Sequence, residues 1–355
     1  MSKIITFSVV IFISLSIVPI SDSIYPTLKI NALFSSTNGN ILHVGGSGPN
    51  NYTTINEALQ DASNGDTIFV YPGIYHERLS IKKSINLIGK NRNTTIIDGR
   101  VYDVVTILAD SVIISGFTIQ NSGSGANWES GINVQSSYNT IIDSIITKNY
   151  DGILIEDSNH NVIAHNVITE NYDDGIHSRY SNSYNNHIFS NIITYNKYTG
   201  IRFSGVGKSY NNNISGNILS NNDDGICAFE LSNSNISGNI LSNSGGISLS
   251  DHSNSNYIYG NSIIPDERHS NAIYLEFSFY NRITHNNFMK DSKASFYFSY
   301  FYKPSTNNWD GNYWGRPRIL PKPIVGWWAP FLWLNFDWHP ALKPYRNSHW
   351  VVQQT

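Results

Sequence analysis

Cysteine is nearly absent from this 355-residue chain: Cys227 stands alone. An internal disulfide framework, a cysteine-built zinc site and an iron–sulfur cluster are thereby excluded. Methionine is almost as scarce, with two residues. Charge is thin too. Charged residues make up 14% of the chain, and the net charge of −3 leaves no basic footprint for nucleic acid. The hydrophobic share of 40% sits below the globular norm of about 45–50%. What is present in quantity is aromatic, with 22 Tyr, 16 Phe and 8 Trp, too many for a disordered chain. Stability must come from packing and hydrogen bonds.

Lys3 precedes an apolar run from Ile4 to Ile20 that ends at Pro19 and Asp22. The pattern fits a secretory signal peptide over residues 1–23, with a short uncleaved anchor as the alternative. Export to the outside of the cell, its surface or the periplasm follows from either. Residues 24–40 read as a linker. Sequons stand at Asn51, Asn93, Asn213 and Asn235.

The organisation lies in a repeat. Gly-Ile recurs at 131, 152, 175, 200, 225 and 246, followed by Ala-Ile at 272 and Ala-Ser at 294, a mean spacing of about 23 residues. Each unit carries three short clusters of Ile, Val or Leu alternating with polar residues, a period of two and hence strand. Asn, Ser and Gly punctuate the clusters, and Asn tolerates the left-handed backbone of tight corners. Three strands and three corners make one coil. Stacked coils give an all-β, right-handed parallel β-helix of about 10–11 rungs spanning residues 41–308. Asn139, Asn161, Asn186, Asn213, Asn235, Asn256 and Asn281 read as a stacked amide ladder rather than a ligand site. A helix over about 54–63 is expected to cap the front, with Thr54 and Glu57 as a capping box, Ile55, Ala58, Leu59 and Ala62 on one face, and Asn64-Gly65 as the stop. Seven of the eight Trp fall between Trp309 and Trp350. That segment, 309–355, reads as an aromatic cap outside the repeat.

The opening segment around Tyr52–Gly99, including GIYHERLSI at 73–81, resembles the start shared by pectinesterases, secreted alginate epimerases and NosD-like proteins. The repeats together with NNWDGNYWG at 307–315 resemble the NosD-like family of exported right-handed β-helix proteins. That resemblance implies the pectin-lyase-like fold over about residues 41–315 and an accessory role in maturing a copper enzyme. Copper has little support in the ligand set, since Cu(I) favours clustered Met and Cys, and His165 and His285 lie five coils apart. Gly73, Tyr75 and Glu77 match the G-x-Y-x-E of pectinesterases. Tyr172 through His177 loosely resembles the Tyr, Asp and His chemistry of the epimerases.

In the Gly-Ile strand the residues between the inward Ile positions point out. One outward column runs Asn133, Leu154, His177, Arg202, Cys227, Ser248, Tyr274; a second runs Gln135, Glu156, Arg179, Ser204, Phe229, Ser250, Glu276. Asp151, Asp173-Asp174 and Asp223-Asp224 precede the strand. A groove for an anionic polysaccharide would use Arg179 and Arg202 on carboxylates, His177 as proton acceptor, and Glu156 or Asp174 as acid or orienter. Asp151, Asp224, Leu154, Phe229 and Tyr274 complete the substrate-binding set, and calcium at Asp151 and Asp174 would bridge to a uronate. The competing reading makes Asp-Gly turn chemistry and Glu156–Arg179 an exposed cross-strand pair. The expected function is a secreted monomer that binds extracellular or cell-surface polysaccharide. The alternatives are a uronate lyase, C5-epimerase or glycoside hydrolase, and a structural or metalloenzyme-maturation accessory.

Overall fold

The computed structural model describes residues 39–123, 129–180, 182–205, 207, 209–264, 268, 271–290, 292–298 and 307–346. The expected signal peptide, nearly all of the linker and Trp350 lie outside them. Alternating inward Ile side chains drive the chain into short strands that pair in parallel with the strand one coil before and one coil after. The result is a parallel β-helix. One of its faces is an 11-stranded sheet running from Gly73–Tyr75 to Tyr313–Trp314, so eleven coils stack into a rod about 50 Å long.

Three inward columns fill the interior. Ile132, Ile153, Ile176, Ile201, Ile226, Ile247 and Ile273 stack on the Gly-Ile face, and Ile141, Ile163, Ile188, Ile214, Ile236, Ile258 and Ile283 on the next. On the third face Ile146, Ile168, Ile193, Leu219, Leu241, Ile263 and Phe288 do the same. All are buried, each removing an aliphatic or aromatic side chain from water. The column Gly131, Gly152, Gly175, Gly200 runs beside them because there is no room for a side chain: a Cβ on Gly175 would lie 2.7 Å from both the Gly200 carbonyl oxygen and Ile193 Cγ2.

The corners carry three amide ladders, one per corner. Asn139, Asn161, Asn186, Asn212, Ser234, Asn256, Asn281 and Asn307 form the first, each side-chain oxygen accepting the backbone N–H of the ladder residue one coil earlier. The assignment of Asn213 and Asn235 to this ladder is corrected by one residue. These two side chains lie outside, where Asn235 donates to Asn213 at 2.9 Å. The left-handed backbone falls on Asn at several corners, as expected, and on Tyr, His or Ser at others. Tyr138, His160, Asn185, Asn211 and Ser255, each just before a ladder residue, hold positive φ, while the ladder side chain supplies the hydrogen bonds. His165 and His285 occupy the equivalent bend before Asn166 and Asn286.

At the front, α1 (Ile55–Asp61) covers the first coil with Ile55 and Ala58 buried, and the Thr54–Glu57 capping box is formed. Glu77 adds a second cap, its carboxylate accepting from the N–H groups of Ile55 and Asn56 at 2.8 Å each. Tyr75 donates to the Tyr71 carbonyl at 2.8 Å. Gly73, Tyr75 and Glu77 thus serve the joint between helix and first coil.

At the back, the expected boundary at 308/309 falls inside a strand. Asn308–Asp310 and Tyr313–Trp314 pair in parallel with the preceding coil, and Trp309 takes the inward place below Ile283. Aromatic residues replace Ile in this last coil, which is why the repeat wording fades there. Lys322–Trp328 still pairs in parallel with Lys293–Phe298, then turns into Phe331–Asp337, antiparallel to it. Among the described residues no helix is long and apolar enough to cross a membrane.

Candidate active site on the outer face of the Gly-Ile sheet

Strand register brings the outward columns together as read: Leu154, His177, Arg202 and Cys227 are neighbours on four consecutive coils, and Glu156 faces Arg179, which faces Ser204. Outward does not mean exposed here. Asn133, Leu154 and His177 are buried, so Leu154 offers no apolar surface to a sugar.

The cause is a second use of the bend before the strand. Asp103, Asp151 and Asp174 each accept, through Oδ1, a backbone N–H from the next coil: Ser130 at 2.7 Å, Asp174 at 3.1 Å and Thr199 at 2.8 Å. A carboxylate has no N–H to return, so its other oxygen seeks a donor in the outward column of the next coil. Asp103 finds Asn133 at 3.0 Å, Asp151 finds His177 Nδ1 at 3.1 Å, and Asp174 Oδ2 lies 3.6 Å from Arg202 Nη1 and 3.7 Å from His177 Nδ1. Asp174 Oδ2 itself is buried without a hydrogen bond. Burial is the main reason its carboxyl is pushed up to about 6, with His177 opposing and Asp151 adding to the rise. Asp173, hydrogen-bonded by Tyr150, is also raised, again chiefly by burial.

His177 has a second partner that the sequence reading did not single out. Its Nε2 lies 2.6 Å from Ser204 Oγ, on the following coil. Asp151, Asp174, His177, Arg202 and Ser204 therefore form one connected group. Glu156 stands at its margin, accepting from Asn133 at 3.2 Å and Gln135 at 2.9 Å. The Arg179 guanidinium lies 4.5 Å above the Tyr180 ring. Asp224 faces Thr199, next to Cys227, whose thiol is pushed up first by burial and then by Asp224, which argues against a thiolate nucleophile. Phe229 is partly exposed two coils beyond His177, and Tyr274 stands four coils from it, about 19 Å away.

Asp151, Asp174 and His177 offer one ligand atom each within 4.8 Å of one another. The pair fits calcium poorly, because calcium takes six to eight oxygens, and here a ring nitrogen and the Arg202 cation crowd the two carboxylates. On a separate corner, Gly238 and Gly260 floor a cleft walled by His285, weighed above only as a metal ligand, and by Tyr259, Tyr345 and Arg346, which the sequence reading passed over.

The sequence profile of a right-handed β-helix region matches residues 92–263. None of the curated proteins matches the chain. Among solved structures, the catalytic unit of a GH87 α-1,3-glucanase from Streptomyces thermodiastaticus superposes with a TM-score of 0.60 at 12% identity, covering 84% of this chain and 66% of the glucanase unit. DFA-IIIase from Arthrobacter chlorophenolicus, solved without its lid in complex with GF2, gives 0.53 at 14% identity, with 78% and 88% covered. ORF18 of Geobacillus virus E2 gives 0.47 at 15% identity, with 77% of this chain covered. The chain spans only 56% of that viral protein and 66% of the glucanase unit. At these identities the likeness is one of fold, a right-handed parallel β-helix.

Proposed function

We propose that the protein is exported and binds an extracellular or cell-surface polysaccharide along the outer face of the Gly-Ile sheet. One observation carries this reading: cationic and aromatic groups, Arg179, Arg202 and Phe229, stand on consecutive coils of one sheet with Tyr274 two coils further on, so a linear polymer lying along the coils meets several at once. The aromatic cleft at Tyr259 and Tyr345 adds ring faces of the kind sugars stack on. Fold kinship with a glucanase is compatible with a glycan partner. Binding of uronate and neutral polysaccharides, followed by calorimetry, tests the reading. Arg202→Ala and Arg179→Ala are expected to weaken an anionic glycan at least tenfold and a neutral one little. Equal affinity of the double variant for uronate chains would remove the outer face from consideration.

A second reading, chemistry on uronate chains by a lyase, an epimerase or a hydrolase, is favoured by Asp174, whose carboxyl is poised near 6 beside His177. Incubation with uronate polymers in deuterated water separates the three: unsaturated fragments mean lyase, saturated fragments hydrolase, and deuterium gained without shortening epimerase. Unchanged polymer in every case sinks this reading.

A further inference from the structure

We infer that Ser204 is an activated nucleophile for acyl esters, served by His177 as general base and Asp151 as the residue that positions it. The chain of contacts runs Asp151 Oδ2 to His177 Nδ1 at 3.1 Å and His177 Nε2 to Ser204 Oγ at 2.6 Å. With Asp151 accepting the Nδ1 proton, Nε2 is left as the acceptor for the serine hydroxyl, the tautomer that nucleophilic catalysis needs. Three consecutive coils supply one residue each, so the sheet register itself holds the three groups in line.

Ser204 differs from the structural serines of this protein. Ser158, Ser253 and Ser278 turn their hydroxyls onto backbone carbonyls of Val134, Ala228 and Leu249. The Ser204 hydroxyl has His177 as its hydrogen-bond partner. Burial is graded in the useful direction: Asp151 and His177 are buried, whereas Ser204 is half-buried at the end of its strand. The chain after it is held close, since a Cβ on Gly205 would lie 2.3 Å from the Tyr180 carbonyl oxygen. Arg202 stands two residues earlier on the same face, and Arg179 is the cross-strand partner of Ser204. The register thus puts two cationic residues on the strand positions flanking Ser204, where a developing oxyanion needs positive charge.

The step balances with water as the second reactant. Ser204 Oγ attacks the ester carbonyl while its proton passes to His177 Nε2; the C–O bond to the alcohol breaks and the alcohol leaves with that proton. Water, deprotonated by His177, then hydrolyses the acyl-serine to a carboxylic acid and free Ser204. If the outer face binds a glycan, the natural substrate is an O-acyl ester carried by that glycan, a clause that rests on the reading above. The core inference does not.

The test treats the full chain with a fluorophosphonate probe, maps the adduct by mass spectrometry, and follows 4-nitrophenyl acetate hydrolysis. The expected result is a single adduct on Ser204, absent in Ser204→Ala, with hydrolysis at least 100-fold above that variant. Asp151→Asn, which leaves His177 in the wrong tautomer, should lower kcat toward the Ser204→Ala level with KM little changed, a split that a merely structural role would not produce. A wild-type protein that takes no label and shows no excess hydrolysis overturns the inference, as does a label that persists in Ser204→Ala. Glycan binding, measured on the wild type alone, reports separately on the polysaccharide reading.

Discussion

Two neighbouring columns meet the same demand with different chemistry. At the corner before the Gly-Ile strand, Asn149, Asn171, Asn196 and Asn222 pass hydrogen bonds from coil to coil. A few residues later Asp103, Asp151 and Asp174 do the same for the next coil's backbone. The amide closes its own account: Asn171 Nδ2 donates to the Ile146 carbonyl and to Asn196 Oδ1. The carboxylate cannot, and recruits Asn133, His177 and Arg202 instead. An amide column is therefore self-sufficient and inert, whereas a carboxylate column obliges the next coil to present a polar or charged side chain. The connected group of Asp151, Asp174, His177, Arg202 and Ser204 grows out of that obligation.

The sharpest way to break the contrast is to put a carboxylate into the amide column. Asn171→Asp would aim a charge at the Ile146 carbonyl and Asn196 Oδ1, and we expect a loss of about 3–5 kcal/mol at pH 7. Its folded-state pKa would lie above the unfolded one, so stability should return as pH falls toward 4. Urea unfolding across pH checks both. The reverse exchange, Asp174→Asn, keeps an acceptor for the Thr199 N–H. Here the wild-type carboxyl is raised from 3.8 to about 6, so the folded state holds its proton more tightly than the unfolded state. Wild-type stability falls as pH rises through that window. The variant should be more stable than wild type by about 3 kcal/mol at pH 7 and equal to it near pH 3. The smallest effect is expected outside both columns: Asn235→Ala, which removes half-exposed contacts with Asn213 and Ser237, should shift stability by less than about 0.5 kcal/mol by thermal unfolding.

The period, the three-strand coil and the capping box could be read from the sequence because each rests on local pattern. The ladder phase slipped at Asn213 and Asn235, where runs of polar residues blur the corner. The rule that would have fixed it is spacing: the ladder residue stands two before the inward Ile, as Asn139 does before Ile141 and Asn212 before Ile214. The last coil was missed because Trp309 and Trp314 fill places held by Ile elsewhere. At the site, alternation placed His177 and Arg202 on one face and acids beside them. It gave no sign that His177 is buried, nor that its ring reaches diagonally to Ser204, since a diagonal contact between coils depends on side-chain rotamers rather than on spacing.

The second amide ladder has an electrical direction. From Asn166 through Asn191, Asn217, Asn239, Asn261, Asn286 and Asn312, every Nδ2 donates to the side-chain oxygen one coil further on. Amide dipoles aligned in series polarise one another and add, as peptide dipoles do in a helix, so the far end of the row is its positive pole. Asp337 sits there, fully buried, accepting from Asn312 Nδ2, the Gly311 and Asn312 N–H groups and Trp314 Nε1. The rod is thus polarised along its axis, and it places an anion where that polarity ends.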